Sequence, residues 1–152
     1  GPDHPSTLVC MNNLASLLYA MGKYDESEKL YKNAEKTMER KASTSPDAQK
    51  LATRSNLAAL LKARGQYAEA KELYSQTVDE LTTYLGKEHA DTLAARSNLA
   101  SLLYCQAQYD EAETIYRQVI ETSERVLGPK NPATLTSVNG LATLLKARGK
   151  YE

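Results

Sequence analysis

The stretch that decides the fold is LAARSNLASLLYCQAQYDEAETIYRQVIETSERVLGPKNP, residues 93–132. From Leu93 to Gln106 the apolar Leu93, Ala94, Leu99, Ala100, Leu102 and Leu103 fall in groups one helical turn apart, with no Pro or Gly inside. That spacing predicts a helix. From Tyr109 to Leu127 the residues Tyr109, Ala112, Ile115, Tyr116, Val119, Ile120 and Val126 recur mostly at three- and four-residue steps and then meet Gly128-Pro129. This predicts a second helix with a glycine stop and a proline beyond it. The short Ala107-Gln108 link leaves little choice but to fold the pair back as an antiparallel helical hairpin.

The same hairpin is written elsewhere in the chain. Tyrosines stand at Tyr24, Tyr67, Tyr109 and Tyr151, and again at Tyr31, Tyr74 and Tyr116, in steps of 43 or 42 residues. Leu14-Ala15, Leu57-Ala58, Leu99-Ala100 and Leu141-Ala142 share that register, as do Leu17-Leu18, Leu60-Leu61, Leu102-Leu103 and Leu144-Leu145. Ten Tyr with neither Phe nor Trp is the composition expected when one aromatic position is reused. A period in this range signals stacked units, none of which can bury its apolar face without a neighbour. The turns Gly22-Lys23 and Gly65-Gln66 match Ala107-Gln108, and Ser45-Pro46 and Asn131-Pro132 supply a capping side chain before a proline suited to a first helical turn.

These columns resemble the tetratricopeptide repeat (TPR). A small residue on the first helix, a turn residue, a small residue on the second helix and an aromatic four positions later appear as Ala58, Gly65, Ala70 and Tyr74. Ala100, Ala107, Ala112 and Tyr116, and Ala15, Gly22, Ser27 and Tyr31, repeat the set. The period exceeds the family's common ~34 residues, and the Asn12-Asn13-Leu14-Ala15 and Leu127-Gly128-Pro129 segments are most similar to the 42-residue subtype found in kinesin light chains and in bacterial and fungal multidomain signalling proteins. The resemblance implies an all-α fold, a right-handed superhelical solenoid of antiparallel helix pairs, over residues 1–152 as one array. Repeats are expected at about 4–45, 46–88, 89–130 and 131–152, the last stopping after its first helix. Ser43 stands where Gly86 and Gly128 sit, with one extra residue before Leu51, so the first repeat is expected to end differently. The helix from about Pro132 to Arg148 is expected to lack a partner along Leu141 and Leu145, and to contact another chain or fray.

The resemblance also implies that first helices line a concave groove. Counting from the small alanine, the inward columns are Asn13, Asn56, Asn98 and Gly140; Asn12, Ser55, Ser97 and Asn139; Ser16, Ala59, Ser101 and Thr143; and Tyr19, Lys62, Tyr104 and Lys146. Their polar and tyrosine or lysine members other than Thr143, from Asn12 to Lys146, are the expected peptide-binding residues. An asparagine inside a helix costs about 0.7 kcal/mol relative to alanine, because its amide competes for backbone hydrogen bonds, so three in one column calls for a reason. Each carboxamide, donor and acceptor at once, is suited either to grip an extended peptide or to form a ladder to the next repeat's first helix. Lys62 and Lys146, with Arg54 and Arg96, suit a ligand with acidic residues, or serve as solvated cations favoured near helix C-termini. The cationic clamp with which some relatives hold chaperone C-termini is absent: Asn56 fits its middle position, but Asn12, Ser16, Ala94 and Asn98 occupy the rest.

Other classes fall away. Lys plus Arg and Asp plus Glu both number 19, leaving no net charge to hold nucleic acid or an anionic bilayer. No apolar run approaches the roughly 18 residues of a membrane span. Cys10 and Cys105 lie far apart without Cys/His clustering, which argues against a disulfide framework or zinc and for a reducing, cytoplasmic setting. No secretory signal opens the chain, and Gly1-Pro2 reads as the remnant of a cleaved tag. His4 and His89 precede helices and are expected to cap them. No nucleophile triad, glycine-rich phosphate loop or metal spacing is present, so no catalysis, cofactor or metal is expected. Asp25 with Lys29, Glu28 with Lys32, Glu113 with Arg117 and Glu121 with Arg125 are spaced as i to i+4 pairs on a solvated face. The expected role is a protein-interaction scaffold binding a short peptide motif; the alternative is a repeat segment that packs on its parent protein or on itself through the unpaired last helix.

Overall fold

The computed structural model describes residues 5–40 and 48–149. Among these the regular structure is helical: α1 (Pro5–Ala20), α2 (Tyr24–Arg40), α3 (Ala48–Ala63), α4 (Tyr67–Leu85), α5 (Ala90–Cys105), α6 (Tyr109–Val126) and α7 (Pro132–Gly149). The stretch quoted first is α5, α6 and the start of α7. α5 begins three residues before Leu93, because His89 Nδ1 accepts the Asp91 amide at 3.1 Å and caps the helix. Asn131 does the same for α7, its Oδ1 accepting from the Ala133 amide at 2.9 Å. The caps expected from His4 and Ser45, and the altered end of the first repeat at Ser43, lie outside the described residues.

The tight turns need a left-handed residue. Gly22 and Gly65 supply it at φ +79°, at no steric cost. Ala107 does the same job at φ +61° with a Cβ that resists it. In each turn an amide reaches back to the first helix, as Gln108 N does to Leu103 O at 2.9 Å. The link is thereby closed in the same way with or without glycine.

Two compact units emerge, Gly1–Leu73 and Tyr74–Glu152, divided within α4. In the first, α2 packs against both α1 and α3. Fully buried Ala15 and Ser27 let α1 and α2 approach until the Ser27 hydroxyl donates to the Ala15 carbonyl at 2.6 Å. In the second, α6 lies between α5 and α7, and Ala100, Leu103, Ala112, Tyr116 and Leu144 form one buried cluster. Leu141 packs at its margin, so the expectation that Leu141 lacks a partner is corrected: it is half-buried against the cluster that α5, α6 and α7 share. The exposed apolar residues of α7 are Leu135, Val138 and Leu145.

An arginine hook recurs in both units. Arg64 meets Asp25 at 2.7 Å and Glu28 at 3.1 Å, and Arg148 meets Asp110 at 2.8 Å and Glu113 at 3.8 Å. Each hook ties the end of a first helix to the start of the preceding second helix. Gln106 stands at the corresponding place just after α5, and α4 carries Ala68 and Lys71 where α2 and α6 carry their acids. The shared Leu-Leu-Lys-Ala-Arg-Gly ending of residues 60–65 and 144–149 therefore marks the two repeats that carry a hook. Asp25 and Asp110 are largely exposed, so each hook contributes at most about 1 kcal/mol. Of the i to i+4 pairs, Glu28–Lys32 (3.1 Å) and Glu113–Arg117 (3.5 Å) form, whereas Asp25 turns to Arg64, and Arg125 to Glu88.

Candidate functional site

The first helices present the carboxamides to solvent. Asn13, Asn56 and Asn98 are exposed on α1, α3 and α5, and no side-chain hydrogen bond holds them among the described residues. The neighbouring column behaves differently. Asn12 is only 7% exposed, and its Nδ2 donates to Thr53 Oγ1 on α3 at 2.7 Å. Its expected place on a ligand-facing wall is corrected: α1 and α3 approach here, and the buried amide is satisfied by the next first helix. Ser97 is half-buried and shares a hydrogen bond with Ser137 on α7, the same link two pairs of helices later in the chain. Ser55 is half-buried and Asn139 exposed. An inter-helix ladder thus exists, carried by the column one residue before the exposed carboxamides.

The column after the small alanine is also partly committed. Ser16 and Tyr31 hydroxyls lie 2.7 Å apart, and Ser101 hydrogen-bonds Tyr116, opposing the burial that pushes the Tyr116 phenol above its ordinary value. Further along, Tyr19 packs on Tyr24 with ring centroids 5.5 Å apart, and Tyr104 on Tyr109 at 5.8 Å. These tilted pairs, worth about 0.5–1.5 kcal/mol beyond burial, bridge the turn and still expose part of the Tyr19 ring. Lys62 is half-buried and Lys146 exposed. Arg54 is withdrawn from the surface, buried and paired with Glu35 at 3.6 Å. Arg96 turns to Gln118 on α6, and partial burial lowers its pKa. Neither arginine joins the carboxamide face.

The column ends at Gly140 for a steric reason. A Cβ there would lie 2.6 Å from Tyr116 Cζ and 2.7 Å from its hydroxyl, so the phenol of α6 fills the space a fourth asparagine would need. Beside Asn98 opens a cavity of about 150 Å³, lined by Leu93, Ala94, Ser97 and Asn98 of α5, Val119 and Ser123 of α6, and Ala133, Thr136 and Ser137 of α7. Ser97 and Asn98 were legible as site candidates; Val119 and Ser123 were not, since second helices read as scaffold. The signal lay in one column, where Met38, Leu81 and Ser123 correspond.

Among the described residues no helix is long and apolar enough to cross a membrane. The tetratricopeptide repeat models match residues 7–41, 49–124 and 91–152. Among solved structures, nearly identical TPR-like repeats assigned to a kinesin light chain of Podosopora anserina are 29% identical, cover 99% of this chain and 71% of their own, and superpose with a TM-score of 0.82. A single-substitution variant of the same repeats gives 29%, 99%, 70% and 0.84. BtubC (BKLC) from P. vanneervenii shares the fold at 22% identity, with 94% of this chain and 56% of that one covered and a TM-score of 0.78. No curated protein matches the chain in sequence. With the family models spanning more than half its length and the helical hairpins recurring in register, the chain belongs to the tetratricopeptide repeat family and resembles kinesin light chain repeats.

Proposed function

We propose that this chain is a protein-interaction scaffold that binds a short extended peptide along the exposed face of its first helices. TPR repeats mediate protein–protein interaction; the finer reading rests on one observation. Asn13, Asn56 and Asn98 stay exposed and unbonded, while the inter-helix links run through Asn12 and Ser97 instead. A mid-helix asparagine that makes no contact gives up stability, and a peptide backbone in reach of its carboxamide would recover it as hydrogen bonds of about 1 kcal/mol each. A handful of such bonds gives micromolar affinity once ordering costs are met. On α7 the exposed Lys146 is the cation placed to favour an acidic residue in that peptide; Arg54, paired with Glu35, is not.

The test is a pulldown with residues 1–152 followed by mapping of the bound segment to a synthetic peptide. For a segment that maps to α1 and α3, Asn56→Ala should weaken binding about fivefold, and for one that maps to α5 and α7, Asn98→Ala should do so, in each case leaving thermal stability unchanged or raised. Equal affinity in the variant and the parent would overturn the groove reading. A second reading, self-packing, is favoured by the exposed Leu14 and Leu17 of α1 and Leu135 and Val138 of α7. It predicts a mass by light scattering that rises with concentration and falls back in Leu135→Lys.

A further inference from the structure

We infer that the cavity beside Asn98 is a socket for one leucine-sized aliphatic side chain of the bound peptide, an assignment that rests on the groove reading above. Its origin is a single column of second-helix residues. Leu81 on α4 is buried to 3% exposure, and Ser123, at the corresponding place on α6, is buried to 1%. Both positions are interior, yet one holds a branched aliphatic side chain and the other a hydroxymethyl group. The missing carbons leave space, and about 150 Å³ of it opens between α5 and α7. A cavity of that size accommodates a compact apolar group.

Chemistry narrows the occupant. Leu93, Ala94, Val119 and Ala133 give the cavity an aliphatic wall beside the uncharged Ser97, Asn98, Thr136 and Ser137, and no charged residue lines it, so a charged side chain entering it would lose its hydration without a counter-ion. At the floor the Ser123 hydroxyl is already out of water and makes no hydrogen bond among the described residues. That buried, unpaired hydroxyl and the empty space above it are both destabilising. A leucine at 123 would remove both at once. Keeping serine there gives up stability, and what it leaves is an apolar socket opening beside the carboxamide row, where a peptide held by Asn98 would present its side chains. The ligand side chain would fill from outside the volume that Leu81 fills from within its own repeat.

The experiment uses the 15N-labelled chain of residues 1–152 and two capped pentapeptides, acetyl-Ala-Ala-Leu-Ala-Ala-amide and its all-alanine counterpart. Amide shifts at Asn98 and Ser101 report the groove, and those at Leu93 and Val119 the socket. The leucine peptide should bind about tenfold more tightly than the alanine peptide and shift the socket amides. In Ser123→Leu and in the smaller Ser123→Val that ratio should fall to about one, with the melting temperature raised. Groove shifts without a leucine preference, or a preference that survives both substitutions, would overturn the socket and leave the groove standing. Absence of groove shifts with either peptide would overturn the groove reading itself.

Discussion

Asparagine occurs in two adjacent columns of the first helices, and alanine substitution should act with opposite sign in the two. Asn98 is exposed and unbonded, so Asn98→Ala changes little except helix propensity and should stabilise by about 0.5–0.7 kcal/mol. Asn12 gains the same propensity term, but its removal deletes the 2.7 Å hydrogen bond to the fully buried Thr53 hydroxyl and empties buried volume between α1 and α3. A hydrogen bond contributes about 0.5–1.5 kcal/mol net and the emptied volume adds to the loss, which exceeds the propensity gain, so Asn12→Ala should destabilise by about 0.5–2 kcal/mol net. Thr53→Val, which keeps the side-chain shape, should cost about 1–3 kcal/mol by orphaning the Asn12 amide. The double variant should cost less than the sum of the singles, leaving a coupling of about 1 kcal/mol. Urea denaturation followed by circular dichroism measures these differences, and at this chain length a change of about 1 kcal/mol moves the melting temperature by about 2–4 °C. Stabilisation by both alanine substitutions, or strict additivity of Asn12→Ala and Thr53→Val, would refute the division of labour between the two columns.

Three further outcomes are expected. Gly140→Asn, which completes the carboxamide column in sequence, should destabilise by about 1–3 kcal/mol, because its Cβ meets the buried Tyr116 ring at 2.6 Å and must displace it; a melting temperature at or above the parent's would show the contact to be soft. Ala107→Gly should stabilise by about 0.5–1 kcal/mol by relieving the left-handed backbone at φ +61°, read as a rise in the melting temperature. The Arg125 hydrogen bond and charge hold the Glu88 carboxyl below its ordinary 4.5. The contribution is thus present above that value and disappears as the pH falls through the lowered one; carboxyl NMR titration should show Glu88 returning to the ordinary value in Arg125→Gln.

The helical hairpins, their register and their capping residues were legible in the chain itself. A 42- or 43-residue recurrence of small, aromatic and turn residues admits one way to bury every apolar stripe, and His89 and Asn131 capped as their positions foretold. The carboxamide row was legible as a row; its accessibility was not. Neighbouring residues on a helix point about 100° apart, and only the approach of α1 to α3 and of α5 to α7 decided that Asn12 and Ser97 turn inward to Thr53 and Ser137 while Asn13 and Asn98 face water. The same holds for Arg54, whose charge count gave no hint of burial against Glu35, and for Ser123, an ordinary residue in the text that becomes the floor of a cavity once α6 is set between its neighbours. Periodicity determines which faces must be covered; the distance at which two helices then meet determines which polar groups are consumed in covering them.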